Sequence, residues 1–293
     1  LTTAQITGLS TADIAEFTTD QLAALTTSQI QAFSATDLQG LADTQIAALT
    51  TTQLRALNVT NIAALSTTQL AALTTTQVAG LTATQLAGFS SANLSALDAA
   101  QIGALNATQV RALTATQVAA LDATDIAEFS ETQLTALTNT QVGALTATNI
   151  AALSDLQVGA FSTTQLTRLT NTTLAALDAT QVSGLNTTQV RALTATQIGA
   201  LSDIDVAEFT AGQIGALTAT QIQAWSSTVI AGLGSAQIAA LLVTQISSLT
   251  NTQLDYLSTT NITGFDATQI YALTSGQVAS FDSAQLEAYL AAV

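Results

Sequence analysis

From Leu9 to Phe281, every eighth residue of this chain is Leu, Phe or Trp, and no insertion or deletion breaks the register. The unit reads [T/S/D/N]-x-T-Q-[I/L/V]-x-A-L. A strict period of eight rules out one long helix. Eight residues at about 100° each give about 800°, or two turns plus about 80°. An apolar stripe with that drift circles the helix and buries nothing. Supercoiling absorbs only about 20° of drift per heptad. Each octad must therefore contain a break.

The octad shows where the break lies. Its first position is Ser, Thr, Asp or Asn in 32 of the 35 octads from Ser10 to Asp282, the exceptions being Ala42, Gly234 and Leu242. These are the residues whose side-chain oxygen accepts from a free amide of a helix's first turn. Three residues on stands Gln, Asp or Asn in 34 of 36 octads, with Thr173 and Val229 departing. That is the spacing of a capping box. The apolar residue before the cap and the aliphatic residue after the Gln hold the two places of a hydrophobic staple. In the unit Phe17 to Leu25, Thr18 is the cap, Gln21 its partner, and Phe17 with Leu22 the staple. Each octad reads as a very short capped helix bent at a corner. Such a helix is too short to stand alone and must stack on its neighbours, as repeat units do.

The expected fold is thus an all-α solenoid, one short helix per octad, running as a single array over residues 1–293. Leu1 in place of a start Met reads as a segment of a longer chain. From Ile14 to Leu86 the aliphatic position alternates between β-branched residues and Leu. Two packing environments would follow, and hence two octads, or sixteen residues, per coil. Arg111 precedes Glu128, and Arg191 precedes Glu208, by seventeen residues. On a sixteen-residue coil each pair would stack as a surface ion pair, worth about 0–1 kcal/mol. A β-solenoid is the rival, since Thr, Ile and Val favour strands. The Ala and Leu content and the caps favour helices, and strict apolar–polar alternation is missing.

Little here suggests chemistry. The chain has no His, Cys, Met, Pro or Lys, and its 19 acids against four Arg give a net charge of -15. No cations are at hand to displace phosphate counterions, so nucleic acid is not an expected partner. No apolar run is long enough to span a bilayer. Ser and Thr are plentiful but sit mostly at capping positions, and without a base none reads as a nucleophile. No enzyme is expected, and no catalytic, cofactor or metal site is assigned. Oxygen ligands would suit calcium, and the acidic stretches Asp122, Asp125, Glu128, Glu131 and Asp203, Asp205, Glu208, with Asp13 and Glu16, are where it could bind. Their spacing is the octad's own, however, and Asp at the third helical position also serves the helix dipole. The Phe and Trp residues fill the Leu position and read as core. Tyr256 and Tyr271 stand elsewhere in the octad and read as exposed.

The T-x-T-Q-[I/V/L]-x-A-L unit, as in Leu113 to Leu121, resembles repeat regions of large secreted or surface adhesin-like proteins of Gram-negative bacteria. The resemblance covers the whole chain. It implies an acidic extracellular or cell-surface protein: a spacer, a stalk or a self-associating filament subunit. The alternative is a binding module, either an adhesin or an ice-binding Thr face. A recognition face would use the sixth octad position, which carries Arg55, Arg111, Arg191, Gln31, Gln223, Asp255 and Tyr271, and an ice-binding face the Thr of the cap and second helical positions.

Overall fold

The computed structural model describes residues 1–293 and is all-helical, with 36 helices from α1 (Thr3–Thr7) to α36 (Ser283–Ala292). Every helix but α36 has four to six residues. The fold is a solenoid of short helices, one per octad, with no strand.

The local design is uniform. In α3 (Thr19–Ala23), the Thr18 hydroxyl accepts from the Gln21 amide at 3.2 Å, and Gln21 Oε1 accepts from the Thr18 amide at 2.9 Å. Ala42, Gly234 and Leu242 have no capping side chain, yet their amides still donate to Gln45, Gln237 and Gln245. After each helical turn the chain passes through extended backbone at the cap, as at Thr18 (φ -70°, ψ 160°). No residue has positive φ. The corners use only right-handed helical and extended backbone, so they need neither the left-handed glycine that ends many helices nor proline. The helix α36 runs on to Ala292, past Leu290, which stands at the cap position.

The chain divides into two compact units, Leu1–Ala144 and Leu145–Val293. Within the first, α7 (Thr51–Ala56) packs on α4 (Thr27–Ile30) and on α10 (Thr75–Gly80). Within the second, α24 (Thr187–Ala192) packs on α21 (Thr163–Leu166) and on α27 (Ala211–Ala216). In both units a helix meets the third helix before it and the third after it. Side chains link residues 25 apart, as Gln31 to Ala56, and 28 or 31 apart, as Gln53 to Leu25 and Leu22. A coil therefore holds between three and four octads, which corrects the expected sixteen residues per coil. The aliphatic and Leu/Phe positions both point inward along the array, Leu54 and Val78 being fully buried and Leu57 and Leu81 3% exposed; in the last octad the aliphatic Leu286 is exposed. Only a coil of three or more octads encloses enough interior for both rows. The alternation of Ile and Leu marks no pair of environments, because Ile14, Leu22, Ile30 and Leu38 are all 0% exposed.

The wider coil also overturns the expected ion pairs. Residues seventeen apart fall well short of one coil, and no ion pair joins Arg111 to Glu128 or Arg191 to Glu208. Arg111 Nε instead donates to the Ala136 carbonyl at 3.3 Å, 25 residues on.

Candidate functional site

A one-turn helix satisfies few of its own backbone groups, since the first four amides and last four carbonyls of any helix lack partners within it. The cap and box deal with the amides. The carbonyls are met across the seam between coils, and the residue that meets them is the box glutamine. Gln117 accepts from the Thr114 amide through Oε1 at 2.6 Å, while its Nε2 donates to the Leu86 and Phe89 carbonyls at 2.9 and 2.8 Å. Gln69, Gln141, Gln181 and Gln213 repeat this with carbonyls 31 and 28 residues back. Both amide protons and the amide oxygen are used, and the side chain is buried, Gln141 being 2% exposed. A buried polar group with every hydrogen bond made specifies one packing.

The shorter Asn reaches one carbonyl only, as Asn93 to Leu65 and Asn261 to Leu233. Asp has no proton to give and takes one instead: Asp125 accepts from the Ser95 hydroxyl at 2.6 Å, and Asp37 from Thr11 at 3.0 Å. The composition of this position carries the signal. It is Gln 26 times and never Glu, although either would close a capping box. The choice reflects a need for a donor, which the capping pattern alone does not reveal.

The sixth position, expected as a recognition face, partly serves the same seam. Gln31, Gln39 and Gln223 donate to the carbonyls of Ala56, Ala64 and Ser248 at 2.9–3.0 Å. Arg55, Asp255 and Tyr271 are exposed. Tyr256 and Tyr271 are exposed, as expected. Phe33, Phe129 and Phe161 are buried core, while Phe17 and Phe281 are half-buried. Trp225 is buried too, with its indole N–H unpartnered.

The Asp residues at the cap and third helical positions of the acidic stretches are engaged in capping boxes. Asp122 caps its helix, accepting from the amides of Thr124 and Asp125, and Asp125 accepts from the Asp122 amide in return. Ser202 and Asp205 form the equivalent box. No group of three or more carboxylates is arranged to hold a metal ion. Glu128 and Glu208 differ from the rest, because one oxygen of each is enclosed without a partner. Burial first, and then the carboxylates nearby, hold both above the ordinary value of 4.5. Asp13 is shifted the other way, its charge favoured by hydrogen bonds from the Ser10 side chain and amide. No helix is long and apolar enough to cross a membrane.

The family model for the ALTTAQ repeat matches residues 1–27, 14–51 and 50–83. Its six letters follow the octad across the corner, as in Ala72-Leu73-Thr74-Thr75-Thr76-Gln77. This stretch is therefore a repeat region similar to that family. No curated protein matches the chain.

Proposed function

We propose that this chain is a structural repeat protein: one array over residues 1–293 that serves as an elongated spacer, stalk or self-associating filament subunit outside the cell or on its surface. One observation supports this above the others. The buried glutamines, which both donate and accept, are spent on the seams between coils, by a bond pattern that depends on nothing beyond the neighbouring coil. A fold coupled only to its neighbours is extended by adding repeats. The similarity to a repeat family over residues 1–83 points the same way. The net charge of -15 favours solubility and disfavours nucleic acid.

Small-angle scattering and electron microscopy over a concentration series test the proposal. Elongated particles, or filaments that lengthen with concentration, are expected; a compact particle at every concentration refutes it. Antibody labelling of intact source cells tests the surface location separately. The binding-module reading has less to draw on, because Gln31, Gln223 and Arg111 of the supposed recognition face already bond to backbone.

A further inference from the structure

The motif Asp-[Ile/Val]-Ala-Glu-Phe occurs three times, ending at Phe17, Phe129 and Phe209. In the second and third copies Asp125 and Asp205 replace the glutamine, so these octads lack the amide that ties one coil to the next. Each places a Glu three residues later, at the corner. Glu128 Oε2 and Glu208 Oε2 are both enclosed, and neither has a hydrogen-bond partner. Glu208 and Asp205 border a small void otherwise walled by apolar side chains, Leu174, Leu177, Leu201 and Phe209 among them.

The charged groups near these carboxyls are all acidic. Glu128 meets Asp125 and Asp122 of its own octad and Asp98, the cap residue one coil behind. Glu208 meets Asp205 and, one coil behind, the cap residue Asp178. The helix α29 (Ser227–Gly232), which packs on α26 (Asp203–Ala207), carries no ionisable side chain, although Asp203 of α26 lies against Gly232. No cation offsets either Glu: Arg111 is turned to the Ala136 carbonyl. An enclosed carboxylate oxygen with no donor and only anions around it is costly while charged.

We propose that Glu128 and Glu208 are two acid-set clasps, each gripping its coil more tightly when the carboxyl is protonated than when it is charged. Protonation removes the charge that burial and the flanking carboxylates oppose, and it supplies an O–H at the seam where the octad lacks a glutamine amide. The upward shift of both groups agrees with this. For an acid held above its unfolded value, the contribution to stability is complete below that value, 4.5 for Glu. It is lost as pH rises through the folded value. The clasps therefore close on acidification from neutral pH.

Thermal melts from pH 7.5 to 4, in buffer with a metal chelator, provide the test. Glu128→Gln, Glu208→Gln and the double variant carry a neutral side chain of the same shape. They are expected to melt above the parent at neutral pH, by about 2–4 °C per site. The gap should close near pH 4.5. Glu16→Gln, in the first copy of the motif where the Glu is exposed, should leave the profile unchanged. Parallel curves for parent and double variant would overturn the proposal. Carboxyl-carbon NMR of the unmodified chain gives an answer independent of any variant's folding: midpoints above 4.5 for Glu128 and Glu208 support the clasps, and ordinary midpoints refute them.

Discussion

At the scale of single residues, the glutamine three places after the cap carries the most structural information. It accepts within its own octad and donates to the coil behind, and only a side chain with both capacities makes both bonds. Gln117→Glu keeps the acceptor for Thr114 but gives up the donors to Leu86 and Phe89 and buries a charge among carbonyls. A loss of about 3 kcal/mol or more is expected, since unsatisfied buried groups cost about 1–3 kcal/mol each and charged ones more. Gln117→Asn, which by the example of Asn93 keeps one carbonyl bond, should lose about 1 kcal/mol. Chemical denaturation curves would separate the two. Val229 offers the converse test. It sits in the glutamine position, 1% exposed, behind the Ser226 cap. Val229→Gln supplies the missing amide and should raise stability by about 1 kcal/mol, read as an upward shift of the melting temperature.

At the scale of the element, each helix is barely one turn, and its stability lies in the corners. Where coils approach most closely the corner must be bare. A Cβ on Gly184 would stand 2.7 Å from the Asp155 carbonyl oxygen, and one on Gly159 would stand 2.8 Å from that of Gly184. Both opposing atoms are backbone and do not yield easily. Gly184→Ala is expected to cost about 1–3 kcal/mol through overpacking. Gly103, in α13 (Ala99–Gly103), has nothing within 4 Å of the same position. There Gly103→Ala should gain about 0.5–1 kcal/mol, the usual benefit of Ala over Gly inside a helix. A pair of melting curves distinguishes steric need from mere tolerance at these two glycines.

At the scale of the whole molecule, the buried glutamines bond to the coil behind at recurring offsets, 28 residues with 30 or 31. Removal of one complete octad, Asn106–Leu113, shifts the following glutamines onto equivalent carbonyls of the preceding octad. The truncated chain should fold, with unchanged helical circular dichroism and a melting temperature close to the parent's. Deletion of the single residue Thr108 carries Gln109, Gln117 and Gln133 off their partners, which precede the deletion. It should cause a large loss of stability in residues 1–144. Equal tolerance of the two deletions would show that the seam does not set the register.

What acts within about eight residues is legible in the octad. The break in each octad, the caps at Ser10 or Thr18, the box with Gln21, and the inward aliphatic and Leu/Phe rows all follow from contacts three to five residues apart, whose geometry is that of any helix start. The folded chain was needed to show how many octads close a coil. It also decided where the second half of each glutamine goes, and that Arg111 reaches Ala136 while Glu128 is left without a cation. These depend on the angle turned at each corner, summed over more than three octads. A chain whose octads are nearly alike carries no mark of which one lies above which. The 25-, 28- and 31-residue partnerships appear only once the coil is closed, because its interior must be wide enough to hold two apolar side chains from every octad.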